Sequence, residues 1–215
     1  MKNALLVTAH PYVESFNFAL RTQAIELLNK LEWQVNTSDL YQQGFNPILG
    51  PADFSNISTS VPLSLPKQQE VAYQQALFSN DIISEQSKLM DANLLILQFP
   101  LWWGSYPAML KGWIERVISR GYGYGSNKLL SGKRVLLSVT TGGANDDEEI
   151  EYYQKKIHEL GVDVFAYANM EVLKPIINHG PSLSNGKQRQ DLLSSSKQQL
   201  ISLLTVKSLT SDSKD

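Results

Sequence analysis

The chain contains no cysteine, which excludes disulfides, thiolate metal sites and dithiol redox chemistry, so any redox activity has to reside in a bound cofactor. Histidine is nearly as scarce. His10, His158 and His179 stand far apart in the sequence and show no metal-ligand spacing. Positive charge is not in excess either: 19 Lys and Arg are scattered among 21 Asp and Glu, for a formal net charge of -2. With no basic face to attract phosphate backbones, nucleic acid is not an expected partner. No apolar run approaches the roughly 20 residues that a membrane helix needs, so no integral membrane segment is expected. The opening MKNALLVTAHP places a lysine before a short apolar run, but the run stops at His10 and Pro11 without a cleavage site, which reads as a first β-strand and not as a secretory signal. The cytoplasm is the expected address.

What is present is a repeated alternation. Ala4 to Ala9 is a compact apolar run, and from Phe16 to Leu31 apolar residues recur at helical spacing. A weaker strand is read at Trp33 to Asp39, followed from Tyr41 to Pro66 by a stretch rich in Pro, Asn, Ser and Gly, long enough to serve as a functional lid. Helical signal resumes at Asp81 to Met90. The run from Leu94 to Phe99 is closed by Pro100, and Pro107 sits where the first turn of a helix from Ala108 to Ile118 tolerates it. Gly121 to Asn127 breaks that helix. Val135 to Val139 reads as the fourth strand, Glu148 to Leu160 as the fourth helix, Val162 to Val172 as the region of the fifth strand, and Gly186 to Leu204 as the last helix. Short apolar runs, each followed by a helix, predict a parallel sheet covered on both faces, a doubly wound α/β fold. One domain over residues 1–205 is expected, with a disordered tail over 206–215.

In such sheets the ligand lies beyond the carboxyl ends of the strands, which directs attention to three strand-end loops. His10 to Asn17 (HPYVESFN) enters the first helix, where free N–H groups and the helix dipole favour a phosphate. Ser15 has an equally ordinary reading as the helix cap, and a lone histidine is more often structural than catalytic. Phe99 to Trp113 (FPLWWGSYPAMLKGW) displays Trp102 and Trp103 just outside a buried strand, beside Gly104, which lets backbone approach a flat ligand. Tryptophans more commonly belong to a core. Thr140 to Gly143 (TTGG) offers hydroxyls and consecutive N–H groups to an electron-rich ring edge, although alone such a tetrapeptide is an ordinary turn.

Taken in order, HPYVESFN, DLYQQGFNPIL (residues 39–49), the block from Ser79 to Val117 and LLSVTTGG (136–143) resemble successive motifs of the NAD(P)H:quinone oxidoreductase family, of the flavodoxin-like superfamily. The resemblance implies a flavodoxin-like five-stranded parallel sheet of order 2-1-3-4-5 with helices on both faces. It implies a homodimer with a site at each end of its interface, FAD as cofactor in preference to FMN, NAD(P)H as co-substrate, and ping-pong two-electron transfer to quinones.

By position, His10, Ser15, Phe16 and Asn17 would hold the flavin pyrophosphate and ribityl chain. Pro100, Leu101, Trp102, Trp103 and Gly104 would hold the ring, and Thr140, Thr141, Gly142 and Gly143 would line its other edge. Arg189 falls near the adenine half, and Tyr122 and Tyr124 resemble aromatic residues that wall the partner subunit's pocket. After TTGG the chain departs from the family: ANDDEEIEYYQKKIHEL is shorter and acidic, and no residue matches cleanly the tyrosine and histidine of a charge relay. Tyr152 and Tyr153 are the nearest substitutes as catalytic residues, and His158 is more distant. Two other readings fit the same residues: a redox-sensing regulatory flavoprotein subunit of a transporter, and a nitro- or azo-compound reductase.

Overall fold

The computed structural model of the chain describes residues 1–57, 64–125 and 127–205. The expected tail from residue 206 and the middle of the expected lid lie outside the described residues. The elements run β1 (Lys2–Thr8), α1 (Phe16–Lys30), β2 (Trp33–Asp39), α2 (Leu65–Gln75), α3 (Asn80–Asp91), β3 (Leu94–Pro100), α4 (Ala108–Val117), β4 (Arg134–Thr141), α5 (Asp147–Gly161), β5 (Glu171–Val172), β6 (Ile176–His179) and α6 (Gly186–Thr205). The sheet order β2-β1-β3-β4-β5 is the expected one, and all the pairings are parallel.

Period-two alternation in the central strands builds two separate cores. Ala4, Leu6, Leu94, Ile96 and Leu136 point to one face, where Leu27 and Leu28 of α1 and Leu200 of α6 cover them. Leu5, Val7, Leu95, Leu97, Leu137 and Val139 point to the other, against Leu89 of α3, Leu110 and Trp113 of α4, and Ile157 of α5. The chain therefore leaves β1 toward one face and leaves the neighbouring β3 toward the opposite one. Two adjacent strand ends that diverge in this way open a crevice between their loops.

The last lane of the sheet differs from the sequence reading. A strand does lie within 162–172, but it is only Glu171–Val172, because Val162–Ala166 prolongs α5 as a wide helical turn. A sixth strand, β6, then pairs with the far half of β4. Leu173 N–H donates to Val135 O at 2.9 Å, but two residues on, Pro175 has no N–H to continue the ladder. The register slips by one residue there: Val172 pairs with Val135, whereas Ile176 pairs with Ser138. A proline is tolerated because this lane is the sheet's edge. The slip has a consequence for the site, since it brings His179 level with Thr141.

Helix α2 was not anticipated; only its start falls inside the expected loop. Leu65, Ala72 and Tyr73 set it against Phe54, Phe78 and Ile82, and a buried amide adds to that contact. Gln69 Nε2 donates to Glu115 O at 3.1 Å, and Gln69 Oε1 accepts from Arg120 N–H at 3.1 Å. The segment before it is tied down by charge. Arg116 on α4, fully buried, pairs with the equally buried Asp53 at 2.9 Å and with Asp81 at 2.6 Å, donates to Asn46 O, and lies over the Phe45 ring.

Removing one partner of a buried ion pair leaves the other charge desolvated. Asp53→Ala should therefore lower the unfolding free energy by about 3 kcal/mol in urea titration, while Asp53→Asn, which keeps the acceptor oxygen, should lower it less. Equal stability of Asp53→Ala and wild type would show that Arg116 holds nothing in place.

Candidate functional site

The crevice at the carboxyl ends of β1, β3 and β4 is a cleft of about 760 Å³. Its first wall is the loop after β1. Ser15 caps α1 by accepting from Phe18 N–H at 3.4 Å, and it lines the cleft as well, so both readings of this serine hold. The first-turn N–H groups of α1 have no partners within the helix, and the helix dipole adds positive potential. His10 Nδ1 lies 3.1 Å from Tyr12 N and 3.2 Å from Tyr12 O, so the backbone of Tyr12 holds the ring in either tautomer.

The second wall is the loop after β3, which makes a tight turn. Trp102 and Ser105 bridge, Ser105 N–H donates to Trp102 O at 3.1 Å, and the two central residues, Trp103 and Gly104, have φ of 51° and 70°. Positive φ at both central positions is the type I′ arrangement, which glycine adopts freely and tryptophan does not. A Cβ at Gly104 would lie 2.7 Å from the amine of Lys156, the far end of a flexible side chain that can move aside. Trp103 is fully exposed, and Trp102, 41 % exposed, meets His10 with ring centroids 5.9 Å apart. The two loops thus share an aromatic rim.

The third wall, Thr140 to Gly142, is locked to the other two. Leu101 N–H donates to Thr140 O at 2.8 Å. Below the rim, Gln98 Nε2 donates to Asn17 Oδ1 at 2.9 Å and Asn17 Nδ2 donates to Thr140 Oγ1 at 3.0 Å, all three side chains being buried. Asn17 was expected to reach a ligand; its side chain instead knits α1 to β3 and β4, although the residue still borders the cleft. The far side is closed by Pro181, Leu193 and Arg189, whose Nε donates to Pro181 O at 2.9 Å.

Twelve of the fourteen residues expected to bind cofactor therefore line one cleft, the exceptions being Gly104 and Gly143 at its margins. The expected catalytic tyrosines do not line it. Tyr152 is exposed on α5, with Lys156 Nζ 3.1 Å from its hydroxyl, and Tyr153 packs edge-on to Tyr152 and beside His179. His158 is exposed on the same helix. Tyr124 lies in another hollow of about 400 Å³, its ring 5.5 Å from that of Tyr167, and that hollow shares no lining residue with the cleft. Tyr122, expected beside Tyr124 as a wall of the partner subunit's pocket, has no surface to offer one. It is buried, it donates to Gln86 O at 2.7 Å, and burial pushes its hydroxyl well above the ordinary phenol range. His179 was missed, because nothing in the sequence shows that a register slip sets it beside Thr141.

This arrangement can stack a flat ring on exposed indoles, seat phosphate at a helix N-terminus and offer hydroxyls and amides to a polar ring edge. A family model described as a flavodoxin-like fold matches residues 2–204. NAD(P)H dehydrogenase (quinone) 1 of Cavia porcellus is 33% identical over 214 residues, which cover 93% of the chain and 76% of the relative. The ribosyldihydronicotinamide dehydrogenase (quinone) of Mus musculus is 34% identical over 94% of the chain and 92% of its own length. A Klebsiella pneumoniae structure provisionally assigned as a quinone reductase superposes with a TM-score of 0.87 at 30% identity, over 95% of this chain and 86% of that one.

His10 in the cleft and His179 behind Thr141 carry a pH signature. Burial holds both His10 and His179 below the ordinary 6.5, the backbone contact to Tyr12 and the charge of Glu149 respectively offsetting it in part. Below that pH the unfolded chain binds more protons than the folded one, so stability should fall as pH drops through about 6.5 and these two contributions should level off below the folded-state values. The urea midpoint should be lower at about pH 5.5 than at about pH 7.5, and His10→Asn combined with His179→Asn should narrow the gap. An unchanged gap in the double variant would assign the pH dependence to other groups.

Proposed function

The chain belongs to the NAD(P)H:quinone oxidoreductase family of the flavodoxin-like fold, and from that we propose that it is a flavin-dependent enzyme passing hydride from NAD(P)H to quinones. The observation that carries the proposal is the single cleft that gathers the helix N-terminus, the displayed tryptophans and the Thr140–Gly142 loop. Its volume, about 760 Å³, lies toward the upper end of the range for small-molecule and cofactor sites.

A flavin fits this donor set. The N-terminal turn of α1, with Ser15 and Phe16, would take the phosphates. Trp102, Trp103 and Leu101 would bear on the ring, and Thr141, Gly142 and Gly143 would meet its polar edge. FAD is preferred over FMN because Arg189, matched to an adenine-side position, borders the same cleft as the ring-binding loop. When bound, the flavin supplies two-electron chemistry, accepting hydride from the nicotinamide and yielding it to the acceptor. The protein's part is to stack, orient and exclude water.

We take the working unit to be one domain over residues 1–205 that pairs as a homodimer, in which the partner subunit's Tyr124 closes the cleft over substrate. The exposed rim of Trp102 and Trp103 supports this, as does the placement of Tyr124 away from its own chain's cleft. Reductant and quinone then occupy one pocket in turn, a ping-pong sequence. Because neither Tyr152 nor Tyr153 lines the cleft, Tyr152→Phe and Tyr153→Phe should each reduce turnover by far less than the roughly 100-fold that follows loss of a proton-transfer group.

Heat release of the cofactor from purified protein, followed by chromatography, should yield FAD, and a protein that reconstitutes with neither FAD nor FMN would end the proposal. A sharper test uses Gly142, where a Cβ would meet nothing within 4 Å of the protein. Gly142→Val should leave unfolding free energy within about 0.5 kcal/mol of wild type. If backbone there approaches the ring, the same variant should lose flavin occupancy. Full occupancy would make TTGG an ordinary turn.

A further inference from the structure

His179 is the last residue of β6 and pairs directly with Thr141, the last residue of β4. Neighbouring parallel strands in register point paired side chains to the same face. On the opposite face, Thr140 meets Asn17 and Asn178 accepts from Ser196 at 2.9 Å. Thr141 and His179 turn instead toward α5, where the Tyr153 ring lies 5.6 Å from the imidazole. Thr141 Oγ1 and His179 Nδ1 are 3.0 Å apart.

The other ring nitrogen decides how that bond is polarised. His179 Nε2 is buried and has no hydrogen-bond partner. If Nε2 carried the hydrogen, a buried N–H would be orphaned, which folded proteins tolerate less readily than an unsatisfied acceptor. The neutral imidazole therefore carries its hydrogen on Nδ1 and donates it to Thr141 Oγ1. The hydroxyl's own hydrogen is then left over. Within the protein its remaining acceptor is Gly143 O at 3.4 Å, at the outer limit of a hydrogen bond. Thr141 borders the cleft, so this hydrogen is available to an acceptor bound there.

We propose that His179 is a positioning residue that, by donating to Thr141 Oγ1, fixes the Thr141 hydroxyl as a donor to the electron-rich edge of the ring bound in the cleft. The proposal rests on the flavin reading given above. The edge of a flavin gains electron density on reduction, and a hydrogen bond to a charged group is roughly twice as strong as one to a neutral group. His179 thus favours the reduced ligand over the oxidised one. The titratable and charged groups that face it are Tyr153 and Glu149 from α5 and, across an adjoining hollow, Asp191 from α6. The two carboxylates, when ionised, do not compete for Thr141, because the register pairing and not charge sets the contact.

The test has a part that needs no flavin. Nitrogen-15 NMR of histidine in the cofactor-free protein at about pH 7.5 should show His179 protonated at Nδ1, and Thr141→Val should shift that nitrogen. A signal from the Nε2–H form would overturn the proposal, because the Thr141 hydrogen would then be consumed by the imidazole. The second part compares affinities of oxidised and reduced FAD for the apoprotein.

Wild-type protein that binds neither form refutes the flavin reading, and it leaves the NMR result standing as a separate finding. Where FAD binds, His179→Phe should reduce the preference for reduced over oxidised FAD about tenfold, a fall of about 30 mV in the two-electron potential. Thr141→Val should do the same, and His179→Asn, which retains a donor, should recover part of it. If His179→Phe fails to fold, Thr141→Val carries the comparison. An unchanged preference in the folded variants would reduce His179 to a packing residue.

Discussion

The side chain of Asn17 makes the bond on which the site depends. By accepting from Gln98 and donating to Thr140 it joins the start of α1 to the ends of β3 and β4, and three of the loops that line the cleft begin within a few residues of one of these three. The bridge is buried, so each partner lost would leave another polar group without solvent or a bond, at about 1–3 kcal/mol. That penalty makes the three loops one object. Leu101 N–H to Thr140 O and Ala9 N–H to Gln98 O repeat the connection through backbone. A site made of loops gains in this way a precision that loops alone do not have, and binding a rigid planar ring requires it.

The divergence of the chain at β1 and β3 supplies the space, and the apolar alternation of those strands supplies the divergence. Leu5 and Leu95 sit on one face while Leu6 and Ile96 sit on the other, so each central strand must be covered twice and the helices must distribute between two sides. This much was readable in the sequence, because a short unbroken run such as LLILQF has few other uses. The three loops were readable for the same reason: each starts where such a run stops.

Features that depend on tertiary contact were not readable. α2 turns only Leu65, Ala72 and Tyr73 toward a small apolar cluster and adds the buried amide of Gln69, so its apolar face is too sparse for hydrophobic periodicity to mark. The split between β5 and β6 follows from one missing N–H at Pro175, and the sequence shows the proline but not the one-residue slip that it permits. Tyr122 and Tyr124 look alike in GYGYG, yet one is bonded to the Gln86 carbonyl in the core and the other stands in a surface hollow. Asn17 was found as a site residue for its position, whereas its role as the bridge required knowing where Gln98 and Thr140 point.

The four tryptophans show how structure resolves a question that composition leaves open. Trp113 is fully buried and its indole N–H donates to Glu85 at 2.9 Å, so folding alone accounts for it. Trp103 is its opposite, fully exposed and held at a φ of 51°. Leaving so large an apolar side chain in water forgoes about 2–3 kcal/mol of burial, and the left-handed backbone adds about 1–2 kcal/mol. Among the described residues no contact offsets either figure, and a smaller residue at that turn would fold better. An outlier that folding disfavours on two counts is the kind of residue found at binding sites, which is why the proposed function rests on this loop. Its neighbour Gly104, at a φ of 70°, takes the second left-handed position of the turn without a Cβ penalty, and the turn holds the indole of Trp103 in solvent beside the cleft.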